Sequence, residues 1–269
     1  MKRLLTVAGS DSSGGAGIQA DLKTFAALGT YGMSCICALT AQNTTGVSAI
    51  QNAEPSMVTA QLEMVYADIP PDGVKTGMLS TPEIVEAAAD FLEAHRGAPL
   101  VVDPVMVATS GAVLLEEAAV SLYKCRLLPL ASVITPNIPE AEVLTGLSVK
   151  SPADMEKAAE ALMACGCGAV LVKGGHLTGS AADFFFDGTD AVWLPGERID
   201  TRNTHGTGCT LSSALAVFLA KGASAEEAAR LAKRYITGAI RGAAARSVGS
   251  GHGPVDHFWL YGSRWGEMP

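Results

Sequence analysis

Short apolar runs recur along the chain, and between most of them the apolar positions fall at helical spacing. Residues 4–8, 34–39, 73–76, 100–102, 132–135 and 169–172 show no polar alternation, the pattern of strands buried on both faces. Thr81 and Ser151 each stand before a proline, a capping hydroxyl ahead of the first helical position. Ile84, Val85, Ala88, Phe91 and Leu92 then follow the first signal, and Met155, Ala158, Ala159, Leu162 and Met163 the second. Ser224 and Glu227 have capping-box spacing; the helix they open carries Leu231, Ala232, Tyr235, Ile236, Ala239 and Ile240 on one stripe. Arg230, Lys233, Arg234 and Arg241 lie off that stripe, on a face expected to be solvated. The stretch 183–194, with Asp187-Gly188-Thr189-Asp190 at its middle, predicts a β-hairpin.

Buried strands alternating with amphipathic helices imply an α/β fold with a mainly parallel sheet covered on both faces. No Pro/Gly/Ser-rich linker and no repeat divides the sequence, so a single domain over 1–269 is expected. Such sheets bind ligands outside the carboxyl ends of their strands. The segments that follow each strand are therefore the ones to search.

Composition narrows the partners. With 48% hydrophobic and 17% charged residues the chain has a core-rich globular composition, and its net charge of −8 comes without any dense basic run. A nucleic-acid partner is disfavoured, since neutralising a polyanion needs a positive surface. A small phosphate ligand is not, because backbone N–H groups and a few placed cations suffice. No apolar stretch approaches the ~18 residues of a membrane span, and the apolar start is broken by the glycine-rich residues 9–17 before a signal-peptide core forms. A cytoplasmic protein with no membrane partner is the expectation. The six cysteines include two C-x-C pairs, Cys35 with Cys37 and Cys165 with Cys167, without zinc-site spacing, and are expected to be reduced.

Two glycine-rich turns stand out. In the first, after residues 4–8, Gly15, Gly17 and Ala20 satisfy the relaxed dinucleotide fingerprint before a helix expected to begin near Ile18. The ribose-binding acid that should follow about 20 residues on is missing, and no Gly-Lys pair exists to make a P-loop. The second, Thr204-His205-Gly206-Thr207-Gly208-Cys209, precedes an apolar, Ala-rich helical stretch, so its orphan N–H groups and positive dipole end form an anion hole for a transferred phosphoryl group. Cys209 in the first turn is either an inert packing residue or a thiol whose lowered pKa lets it accept a proton from a substrate hydroxyl. Asn137 and Glu140 have the spacing of a helix cap, and the same pair could orient waters around Mg²⁺. Asp103 and Lys173 each end a predicted strand, where an acid and a lysine suit a metal ion and phosphate oxygens, or are ordinary exposed residues.

Together the segments 9–21 (GSDSSGGAGIQAD), 40–44 (TAQNT), 75–79 (KTGML), 101–106 (VVDPVM), 135–142 (TPNIPEAE), 172–176 (VKGGH), 203–214 and 251–258 (GHGPVDHF) resemble the hydroxymethylpyrimidine and phosphomethylpyrimidine kinases of thiamine biosynthesis, in the ribokinase-like superfamily. The resemblance spans almost the whole chain and implies a three-layer αβα sandwich. It also implies ATP- and Mg²⁺-dependent phosphorylation of 4-amino-5-hydroxymethyl-2-methylpyrimidine, then of its monophosphate. On this likeness Asp21 and Gln42 hold the pyrimidine, with Met78 and Val105 as apolar walls. Asn137 and Glu140 match the magnesium and phosphate motif, Lys173 a phosphate-contacting lysine and Asp103 an acid near the metal. Gly206, Thr207 and Gly208 form the anion-binding turn. Cys209 stands where sugar kinases of the superfamily carry an aspartate base, which points away from a sugar acceptor. Ser250 replaces a histidine found in many relatives. A homodimer is implied, and a pyridoxal or pyridoxine kinase is the alternative within the superfamily.

Overall fold

The computed structural model describes residues 1–106, 117–177 and 181–262. The described strands are β1 (Arg3–Asp11), β2 (Tyr31–Asn43), β3 (Gly46–Asn52), β4 (Gly73–Thr76), β5 (Leu100–Val102), β6 (Val133–Ile134), β7 (Val170–Val172), β8 (Asp183–Phe186) and β9 (Ala191–Leu194). They join in one sheet of order β3-β2-β1-β4-β5-β6-β7-β8-β9. From β2 to β7 neighbouring strands are parallel; β3 at one edge and the β8–β9 hairpin at the other are antiparallel. All six predicted strand runs fall on strands of the parallel part, and the predicted hairpin is present.

Side chains alternate between two helical layers. Leu5, Val74, Val102 and Ile134 pack with α2 (Pro55–Asp68), α3 (Pro82–Ala94), α4 (Glu117–Leu122), α5 (Ile138–Thr145) and α6 (Pro152–Met163). Leu4, Val101, Val133 and Leu171 face α1 (Gly17–Ala27), α7 (Thr207–Ala220) and α8 (Ala225–Ala243). The result is the αβα sandwich.

Local chemistry sets where the helices begin. The Thr81 and Ser151 hydroxyls accept the N–H of Ile84 at 3.4 Å and of Asp154 at 3.3 Å, each ahead of a proline. Ser224 accepts the Glu227 N–H at 3.2 Å, but the return bond of a full capping box is absent, a correction to the reciprocal pair that the spacing predicts. Helix α7 is buried from Thr210 to Val217, pressed between the sheet and α1 and α8 by Leu211, Leu215 and Val217. Each of those side chains contributes roughly 1.5–3 kcal/mol on burial, and Leu215→Ala would cost about 2–5 kcal/mol. That packing anchors the amino end of α7 over the carboxyl ends of the parallel strands.

Candidate active site

Those strand ends surround a cavity of about 640 Å³. Its wall receives Ser10 and Asp11 from β1, Lys75 from β4, Asp103 after β5, Asn137 and Glu140 after β6, Lys173 after β7, and Gly206 to Cys209 from the start of α7. Gln42, Met78 and Val105 line it on the β2 side, and Lys233 from α8 on the other. Of the site residues that the family resemblance implies, every one lines this cavity except Asp21.

The second glycine turn has the expected exposed donors. Gly206 caps α7 in the left-handed region at φ 79°, and a Cβ there would stand 1.9 Å from the Gly15 carbonyl oxygen, so only glycine fits. Thr207 N–H donates to Thr204 O and Thr210 N–H to Gly206 O. The N–H groups of Gly208 and Cys209 have no protein acceptor among the described residues, which leaves them for an anion. The Thr207 hydroxyl donates to Thr204 O at 2.7 Å.

Beneath the turn lies a charged cluster. Asp103 accepts from Lys173 Nζ at 2.8 Å, Thr135 Oγ1 at 3.1 Å and Ser212 Oγ at 3.0 Å. Burial alone would raise its pKa, but the Lys173 and Lys75 charges hold the carboxyl below the usual range. Lys173 also lies 3.8 Å from Glu140, and despite burial its ammonium is held above the ordinary value by Asp103 and Glu140. Glu140 is raised to about 7 by burial, against the pull of Lys173. Glu140 Oε2 accepts the Asn137 N–H at 2.8 Å while Asn137 Oδ1 accepts the Glu140 N–H at 2.9 Å, a complete capping box for α5. The Glu140 carboxylate, bonded by the Asn137 and Met106 N–H groups, keeps lone pairs for a cation beside the cavity, while Asn137 Oδ1 is engaged in the cap. That donor set fits Mg²⁺, which keeps most of its waters and takes few protein ligands.

Three expectations need correction. Asp21 is one layer behind the wall: it accepts from Lys75 Nζ at 2.9 and 3.0 Å, Thr6 Oγ1 at 2.6 Å and Ser213 Oγ at 2.7 Å, with both members of the ion pair fully buried. No acceptor capacity faces the cavity, where Lys75 lines the floor instead. Cys209 does sit at the start of a helix, yet desolvation, with the Asp21 and Asp103 charges, pushes its thiol up to about 11, opposed by the Lys75 charge and the Gly17 N–H. Lys233 is not on a solvated face: it pairs with Asp183 at 2.8 Å and donates to Ala181 O at 2.7 Å inside the cavity rim.

Other residues gave little sign of their place in the sequence. Lys75 interrupts a buried strand run, and a charge there had to find a partner across the core. Asp11 and His205 join the two glycine turns, their Oδ2 and Nε2 2.8 Å apart. On the opposite wall, Gln42 Oε1 lies 3.1 Å from Thr40 Oγ1, whose single hydroxyl proton is also directed at Ser10 O at 2.8 Å, and Met78 and Val105 pack together beside Ala38. All six cysteines are free, Cys35, Cys37 and Cys167 within the core. No described helix is long and apolar enough to cross a membrane.

Known proteins are similar to this chain over most of its length. The family model for phosphomethylpyrimidine kinase matches residues 11–256. A hydroxymethylpyrimidine/phosphomethylpyrimidine kinase of Rhizobium meliloti is 54% identical over 256 residues, covering 94% of this chain and 96% of that protein. The thiamine biosynthesis bifunctional protein ThiED of Geobacter sulfurreducens is likewise 54% identical over 255 residues, 94% of this chain, but the chain spans only 52% of its length. Among solved structures, a Bacillus subtilis pyridoxal kinase in an ADP complex superposes with a TM-score of 0.89 at 40% identity, over 97% of this chain and 98% of that one.

Proposed function

Because the chain belongs to the phosphomethylpyrimidine kinase family, we propose that it transfers the γ-phosphoryl group of ATP to the hydroxymethyl group of 4-amino-5-hydroxymethyl-2-methylpyrimidine. A second transfer, to the monophosphate, follows in the same cavity and gives the diphosphate. The observation that carries this reading is the convergence of an unpartnered helix N-terminus, Lys173, Asp103, Glu140 and Cys209 on one cavity at the strand ends.

In this reading the Gln42 amide hydrogen-bonds to the polar edge of the aminopyrimidine, and Met78 and Val105 enclose its ring. Asp21 acts from behind the wall by fixing Lys75. The hydroxyl oxygen attacks the γ-phosphorus, the bond to ADP breaks, and charge on the moving phosphoryl group meets the N–H groups of Gly208 and Cys209 in the turn begun by Gly206. Lys173, held by Asp103, faces the phosphate oxygens, and Thr207 lies beside them. The hydroxyl proton passes to Cys209 Sγ. This needs the thiolate, favoured by the Lys75 charge and the Gly17 N–H and disfavoured by burial; a loose phosphoryl-transfer transition state demands little prior activation. Mg²⁺, which would be held at Glu140 and, through water, at Asn137, supplies neutralisation of the phosphate charge.

The same reading carries a cytoplasmic homodimer. Coupled ADP-release assays with the hydroxymethylpyrimidine, its monophosphate and pyridoxal as separate acceptors test the function. Turnover on the first two is expected to exceed that on pyridoxal; preference for pyridoxal would move the protein to the vitamin B6 branch represented by the B. subtilis structure.

A further inference from the structure

We propose that Asp11 and His205 are a positioning pair, whose hydrogen bond locks the two glycine-rich turns together and so aims the Gly208 and Cys209 N–H groups at the transferred phosphoryl group. The proposal rests on reading the second turn as the anion hole.

Asp11 lines the cavity yet has no capacity left for a ligand. Its Oδ1 accepts from the N–H and hydroxyl of Ser13, both at 2.8 Å. Its Oδ2 accepts from Gly15 N–H at 3.0 Å, Ala16 N–H at 2.8 Å and His205 Nε2 at 2.8 Å. A carboxylate beside a phosphate site repels the substrate unless its charge is engaged elsewhere, and here every strong donor around it belongs to the protein. The first glycine loop is thereby wrapped around one carboxylate, and His205 is the only one of these donors from the second turn.

His205 is itself held from behind. Its N–H donates to Gly253 O at 3.0 Å and its carbonyl accepts Val255 N–H at 3.3 Å, so the carboxyl-terminal segment braces its backbone. Its neighbour Gly206 is the left-handed cap of α7 and lies against the Gly15 carbonyl. A shift of the imidazole therefore rotates the first turn of α7, and misplacement of reacting groups by about 1 Å costs on the order of 10²-fold in rate.

The test compares His205→Met, which matches the length without a donor, with His205→Gln, whose amide N–H can still reach Asp11. Steady-state kinetics are read together with the affinity for ADP and for ADP plus fluoroaluminate, a mimic of the phosphoryl group in transit, in the presence of Mg²⁺ and the pyrimidine. His205→Met is expected to lower kcat about 10²-fold with both KM values within ~3-fold, and to weaken fluoroaluminate binding in parallel while ADP alone binds as before. His205→Gln is expected to stay within ~10-fold of the parent. Unchanged kcat in His205→Met, or an equal loss in both variants, overturns the proposal. Gly208→Ala separates the two levels, since its Cβ would sit 3.3 Å from Lys173 Nζ and narrow the hole. If Gly208→Ala changes neither kcat nor fluoroaluminate binding, the anion-hole reading fails; if it lowers both while His205→Met does not, only the positioning role fails. Should His205→Met not fold, Asp11→Asn must show the same division between kcat and KM, and its absence overturns the proposal.

Discussion

Replacing Asp21 by Asn would test the buried pair beneath the cavity. Asp21 and Lys75 have no exposed side-chain surface, and the carboxylate accepts two bonds from the ammonium, one from Thr6 and one from Ser213. Removing one partner of such a pair costs about 3–5 kcal/mol, because a buried charge is left uncompensated. The lower end applies here: the Asp103 carboxylate also acts on Lys75, and the amide retains partners for the two hydroxyls. For a chain of 269 residues, ~3 kcal/mol corresponds to a fall of about 6 °C in Tm. Lys75 is held above its ordinary 10.5, so its contribution is complete below that pH and lost only as pH rises through the higher folded value. Thermal unfolding at pH 7 therefore reads the whole effect. Lys75→Met in the Asp21→Asn background should restore part of the loss, and the KM for the pyrimidine should change less than ~3-fold. A Tm drop under 2 °C, or a KM increase near 100-fold at unchanged Tm, would refute the buried-pair argument and return Asp21 to direct substrate contact.

Other consequences can be measured independently. Cys209→Ala should lower kcat by ~10²–10⁴-fold with little change in ATP affinity, measured by coupled assay and nucleotide titration. With its thiol raised to about 11, Cys209 should react with iodoacetamide at pH 7.5 on the order of 10²-fold more slowly than a thiol at the ordinary 9.0, with a rate rising about tenfold per pH unit; peptide mass spectrometry can use exposed Cys125 as the internal reference. His257 is pushed down to about 4 by burial and by the Lys23 and His205 charges, so the unfolded chain binds its proton first and stability falls as pH drops from 6.5 towards 4. His257→Leu should remove roughly 2 kcal/mol of the stability change between pH 7 and pH 5, seen as a shallower dependence of Tm on pH.

The layered architecture was legible because continuous apolar runs and Thr-Pro or Ser-Pro starts report burial and helix entry locally. The same local character explains the errors. Strand β3 has no buried residue, so no apolar run marks it in the sequence. The pairing of β1 with β2 carries strand geometry out to Asp11, well beyond the apolar run. Lys233 and Asp21 were misplaced because their partners, Asp183 and Lys75, are remote in sequence and only the fold brings them close. For Cys209 the helix start was legible, but the desolvation and the remote Asp21 and Asp103 charges that raise its thiol were not.

The hydrogen bonds that build the cavity also determine when it can exist. Lys75 meets Asp21 across 54 positions, Ser212 meets Asp103 across 109, Ser213 meets Asp21 across 192 and His205 meets Asp11 across 194. Closing such long loops is entropically costly and slow compared with helix formation. A nascent chain can pair β1 with β2 early and Asp21 with Lys75 once β4 is made, yet Asp11 lacks His205 and Asp21 lacks Ser213 until the start of α7 has been synthesised. On the proposed function nucleotide binding is thus acquired late in synthesis, and chains terminated before residue 205 should carry much of the sheet but lack the turn from Gly206 to Cys209.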